Sequence, residues 1–329
     1  MAEIHIKAID GHEGKIKALR VQIRASLFSN KFSEMAATLF HGRSDSLPSR
    51  PHPLMSQLDD HICRLRASEA TSTSSTSIPR MLNALPDLYD CVDKLLLLPL
   101  IQQALAQEQN RKWVDELLDG SLGLLDVCSS AKDALLQTKE YALDLQSTIR
   151  RRQGGDDGLA TEARKYLTSR KLAKKAIQKA LTNLKGLENK HSLSCIGGDN
   201  EIATIVTLLR EVQATTLSVL KSFLSFISGP KSLSKPTHWS LVSKLMLHKR
   251  VASKEEETKE NEFVMADDAL ESLVGCKTDC KYDNLMLMEN VQSHLKKLEM
   301  CIQDFEDGCH ILFRRMIKTR VSLLNMLIL

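Results

Sequence analysis

Aromatic residues are scarce, at 4% of the 329 positions. A β-sandwich core draws heavily on aromatic and β-branched side chains, so this scarcity argues against one. Glycine and proline are also few, 14 and 8, and they cluster instead of spreading. Long stretches are thereby left free of helix breakers. No apolar run is long enough to cross a bilayer: LLLLPLI at 95–101 is broken by Pro99, and the closing VSLLNMLIL is about half the necessary length. A net charge of only +4 gives no global pull toward nucleic acid.

The chain is expected to lack a secretory leader. Its eight cysteines (63, 91, 128, 195, 276, 280, 301 and 309) then read as reduced, small hydrophobes in an intracellular compartment. Lys15 to Ser33 has the basic, apolar texture of a transit peptide, but Glu3, Asp10 and Glu13 spoil it. A cytoplasmic location is expected, with a position peripheral to a membrane as the alternative.

What the chain does have is leucine, alanine and rhythm. Leu117, Ser121, Leu124, Cys128, Ala131, Leu135, Thr138, Ala142, Leu145 and Ile149 alternate at steps of four and three. That spacing keeps one stripe of a helix turned toward a neighbour over roughly 50 Å. A second stripe runs Leu159, Ala163, Tyr166, Arg170, Ala173, Ile177, Ala180, Leu184, Leu187, after the turn RRRQGGDDG at 150–158. Basic residues followed by glycines stop a helix, Asp156 or Asp157 can cap the next, and so short a turn makes an antiparallel hairpin. A third helix is expected from Glu201 to Ile227, ended by Gly229-Pro230. A fourth stripe runs from Met288 through Val291, Leu295, Leu298, Ile302, Phe305, Cys309, Leu312, Met316, Thr319 and Leu323 to Met326. The expected fold is all-α: an elongated bundle of long antiparallel helices with coiled-coil-like packing.

The segments between these rods set the domain plan. Residues 1–39 form an N-terminal extension, with Ile16, Leu19, Ile23 and Leu27 on one helical face. Residues 40–53, with Pro48, Pro51 and Pro53, read as a linker. The helical domain is placed at 54–329, starting with a helix over 54–70 whose face is Leu54, Leu58, Ile62 and Leu65. A mobile Ser/Thr tract is expected at 68–77 and an irregular segment at 229–262. Pro86 is expected to interrupt the stretch Ile78–Leu98 and open a fresh helix with Asp87, and Pro99 to open another short one.

No chemical motif stands out. Cys276 and Cys280 would share a helical face, but no second ligand pair has zinc-like spacing, so no metal or cofactor is predicted. Asp59 and Asp60, beside His61 and Cys63, fall off the Leu58/Ile62/Leu65 stripe and read as a solvated face. Gly197-Gly198 lacks a phosphate-binding context. No enzyme activity and no catalytic residue is predicted. His61 or Cys309 in a cleft beside a perturbed carboxylate would overturn that reading.

Two features suggest partners. Between Arg150 and Lys185 eleven basic residues face three acids, an excess of +8. Lys171, Lys174, Lys175 and Lys179 fall on one side of the helix over 159–187, suited to an anionic membrane surface, an acidic protein, or solvent alone. With no aromatic platform among the lysines, nucleic acid is not a predicted partner. In the linker, Arg43-Ser44-Asp45-Ser46-Leu47-Pro48 has the form R-S-x-S-x-P. Phosphorylated at Ser46, it resembles the ligands of 14-3-3 adaptor proteins, a dianion in an extended segment.

Longer blocks carry a family resemblance. RSDSLPSRPHPL (43–54), QLDDHICRLRASEATSTSS (57–75), LPDLYDCVDKLLLLPLIQQAL (85–105), KWVDELLDGSLGLLDVCSSAKDALLQTKE (112–140) and LFRRMIKTRVSLLNML (312–327) resemble a plant-specific family. It is grouped with the BYPASS proteins of root and shoot development. The resemblance spans about 43–329. It implies helical architecture and a developmental or signalling role, and supplies no catalytic residue. The expected function is that of a non-enzymatic helical protein that binds other proteins in plant growth. The alternative is a peripheral membrane adaptor docking to anionic lipid through the basic helix.

Overall fold

The computed structural model describes residues 52–71, 77–151, 155–192, 201–229, 261–275 and 281–327, all within one compact unit, Pro51–Leu329. The N-terminal extension, almost all of the linker and most of the irregular segment lie outside the described residues. Among those described there is no strand. The helices are α1 (Pro53–Thr71), α2 (Ser77–Leu96), α3 (Pro99–Ala106), α4 (Arg111–Arg151), α5 (Gly155–Ser192), α6 (Glu201–Ser228), α7 (Glu262–Gly275) and α8 (Lys281–Met326), with a single 3-10 turn at Glu108–Asn110. The fold is all-α.

The four-three stripes become core. All ten residues of the α4 stripe are buried, as is every member of the α8 stripe from Val291 to Met326. On α5 the stripe is buried from Ala163 through Ala180. Fully burying a leucine or isoleucine contributes about 1.5–3 kcal/mol, so such stripes supply most of what holds the rods together. α4 packs along α5, α6 and α8.

Side-chain contacts give the directions. Lys139 of α4 pairs with Glu306 at 2.5 Å, Gln146 donates to Glu299 at 3.1 Å, and Arg320 donates to the Ser121 hydroxyl at 2.7 Å. Rising numbers on α4 meet falling numbers on α8, so the two are antiparallel. On the other side, Gly308 packs against Leu82 and Asn83, Arg315 pairs with Asp90, and Thr319 donates to Asp93 at 2.5 Å. α2 and α8 therefore run parallel.

Pro86 does not end a helix. α2 continues through it from Ser77 to Leu96. The proline removes one backbone donor at a cost of about 3 kcal/mol. Buried Met81, Leu82 and Leu85 before it, and Leu88, Tyr89, Val92, Leu95 and Leu96 after it, outweigh that by holding both halves against the same neighbours. Of the Ser/Thr tract expected at 68–77, residues 68–71 lie in α1 and Ser77 opens α2, while 72–76 lie outside the described residues. α1 reaches Thr71, and Glu69 accepts hydrogen bonds from Ser218 and Ser222 of α6. Pro53, placed in the linker by sequence, is the first residue of α1, where its missing N–H costs nothing.

α6 ends where sequence puts the stop. Gly229 takes φ +73° and donates its N–H to Ser225 and Phe226 carbonyls, both at 3.1 Å. Asn261 then joins two helices. Its amide donates to the Phe226 carbonyl at 2.7 Å, and its Oδ1 accepts from Phe263 and Val264 N–H at 3.0 and 3.2 Å, capping α7.

Candidate functional site

α5 carries the predicted lysines, and its two faces do different work. Ala163, Tyr166, Ala173, Ile177 and Ala180 are apolar or aromatic core positions, and Arg170 sits among them with only 2% of its surface exposed. A guanidinium there needs compensation, because a lone buried charge costs several kcal/mol. Asp267 of α7, itself 6% exposed, provides it. Arg170 Nε donates to Asp267 Oδ1 at 3.1 Å and Nη2 to Oδ2 at 3.4 Å.

Two further contacts hold the arginine, whose Nη1 is buried without a hydrogen-bond partner. Nη2 donates to the Ile227 carbonyl at 2.8 Å, satisfying a group that the last turn of α6 leaves without an intrahelical partner. The guanidinium also lies 5.0 Å from the centre of the Phe263 ring. Phe263, Phe226, Phe305 and Phe223 continue from it as a chain of tilted and edge-on rings. Burial, and next the Asp267 charge, push the Tyr166 hydroxyl well above its ordinary range, so it stays neutral.

Lys174 belongs to this cluster. Its ammonium is 2.9 Å from Asp267 Oδ2, with the side chain 39% exposed. It therefore does not stand with the other three predicted lysines, contrary to the single basic side read from sequence. The reason is angular: position 174 is one turn beyond Arg170, at the margin of the core stripe. Lys171, Lys175 and Lys179 point outward and are exposed. Arg164 is exposed beside them, and Leu172 stands among them with 55% of its surface in solvent. Lys165 is turned to Glu162 at 2.7 Å.

Sequence reading placed Arg170 in the core stripe but missed its partner. The signal was available in the arginine itself, since a cation at a heptad core position calls for an acid on a facing element. Asp267 lies in a helix of only 14 residues that was not anticipated. Ser46 lies outside the described residues, as do Cys276 and Cys280.

The residues weighed for chemistry do not converge. His61 is half-buried with Nδ1 3.2 Å from Arg64, and desolvation, then the Arg64 charge, lower its pKa. Asp59 and Asp60 are exposed. Cys309 is fully buried beside Cys128, whose Sγ is 3.8 Å from the Cys309 carbonyl. The side-chain hydrogen bond with Cys128, and then burial, push the Cys309 thiol upward, away from the thiolate a nucleophile needs. Among the described residues no three His, Cys, Asp or Glu side chains form a metal-binding group. A cavity of about 20 Å³, lined by Tyr89, Leu117, Gln213, Met316 and Thr319 among others, has room for one water.

A family comparison fits this helical frame. The sequence model of one family, described as Protein BPS1, matches residues 81–326, from within α2 to the last residue of α8. The chain belongs to the BPS1 family. BPS1 membership makes it a plant protein involved in development, in keeping with the BYPASS resemblance. The match takes in both partners of the Arg170–Asp267 pair and the whole of α5, while α1 and the linker precede it. No curated protein matches the chain, and no solved structure matches it. None of the described helices is long and apolar enough to cross a membrane.

Proposed function

We propose that this BPS1-family chain is a non-enzymatic, cytoplasmic interaction protein that acts in root and shoot development by binding other proteins. One observation carries the reading: the buried polar side chains described above bridge helices. Arg170 and Asp267 join α5, α6 and α7, and Asp93 and Thr319 join α2 to α8. Gln213 of α6 donates to the Leu117 carbonyl of α4 at 2.7 Å. Polar groups spent in this way build a rigid frame for presenting surfaces. Phosphorylated Ser46, in the proline-bounded segment before α1, is the proposed docking signal for a 14-3-3 protein.

The test is purification of the tagged chain from root and shoot tissue, beside a Ser46→Ala version. A reproducible partner set is expected, with 14-3-3 protein present only when Ser46 is intact. A chain that elutes alone in every condition, and whose loss leaves root and shoot unaltered, contradicts the reading. Equal 14-3-3 recovery from both versions removes the phosphoserine signal alone.

A further inference from the structure

α5 divides its cations between inside and outside. From Ala163 to Leu187 the sequence contains no aspartate or glutamate. Arg170 and Lys174 are taken up by Asp267, and Lys165 by Glu162. Arg164, Lys171, Lys175 and Lys179 remain on the exposed side, where Thr168, Leu172, Ala176 and Gln178 are exposed as well. Lys171, Lys175 and Lys179 repeat at one helical turn, and the row from Arg164 to Lys179 is about 22 Å long at 1.5 Å per residue.

We propose that this outward row is a docking surface for an anionic lipid bilayer, with Arg164, Lys171, Lys175 and Lys179 meeting headgroup phosphates and carboxylates while Leu172 enters the acyl boundary. Charge complementarity supplies the first argument, since each cation near an anionic membrane strengthens binding about fivefold. Composition supplies the second. Three of the four cations are lysines, point charges that suit a diffuse field better than the forked recognition of a particular carboxylate. Shape supplies the third. A basic helical face with an exposed leucine in its midst can lie flat on an interface, apolar side chain inward. Lys174 is excluded from the surface because Asp267 already holds it.

This proposal stands apart from the protein-binding reading, since vesicle binding by the purified chain needs no other protein. The experiment is co-sedimentation of the full chain with phosphatidylserine–phosphatidylcholine vesicles, with pure phosphatidylcholine vesicles and soluble polyglutamate as comparison probes. Binding to the anionic vesicles is expected to weaken as salt rises. Changing Arg164, Lys171, Lys175 and Lys179 together to glutamine should cost several hundredfold in affinity and leave the helical circular dichroism unchanged. Leu172→Asn should cost several-fold, and Lys174→Gln should leave vesicle binding unchanged.

Four results would overturn the proposal. They are no binding at low salt, equal binding to pure phosphatidylcholine, undiminished binding by the fourfold variant, or a Lys174→Gln loss as large as that of Lys171→Gln. Polyglutamate bound as tightly as vesicles, with no effect of Leu172→Asn, would assign the row to an acidic protein instead.

Discussion

Arg170 is the residue on which the local architecture of α5, α6 and α7 depends. Its guanidinium answers three demands at once: the Asp267 carboxylate, the Ile227 carbonyl and the Phe263 ring. Removing one member of a buried ion pair leaves the other charged and uncompensated, which costs about 3–5 kcal/mol. Arg170→Met should therefore destabilise the chain by about that amount in urea unfolding. Arg170→Met with Asp267→Leu should recover most of the loss, because no buried charge remains and Lys174 can turn to solvent. If the double variant is as unstable as the single one, the cost lies in packing and the electrostatic account of this cluster is wrong.

At the scale of the helix, local propensity and long-range burial compete, and Pro86 shows which prevails. A proline ten residues before a helix end suggests two helices to any reading of sequence alone, yet α2 runs through as one. The periodic rods were legible because each buries a narrow stripe over many turns, which leaves the same mark repeatedly. Helix α7 was not, since 14 residues hold too few turns for a rhythm and its role depends on a distant arginine. The division of the basic window was also hidden. Charge counts treat Lys171 and Lys174 alike, while three residues of helical rotation send one outward and the other to Asp267. Pro86→Ala tests the proline argument. Restoring the missing N–H donor and relieving the ring clash should raise stability by about 1–3 kcal/mol in the same unfolding assay. A loss of stability would mean that the proline is needed for the path of α2.

For the unit Pro51–Leu329 as a whole, the structure gives a helical frame and family membership gives a developmental setting. The account joins them by assigning the buried polar groups to construction and the exposed faces to recognition. The Arg170–Asp267 cluster decides between that account and a catalytic one, because it combines a buried cation, a buried acid and a neighbouring tyrosine. The most direct measurement is growth of a plant lacking the protein and resupplied with the chain carrying Arg170→Met and Asp267→Leu together, expressed at the level of the natural chain. The account predicts normal root and shoot growth, since the paired substitution keeps the apolar packing of the frame and removes both buried charges. A double variant that is folded and abundant, yet fails to restore growth, would contradict it and place chemistry at that cluster.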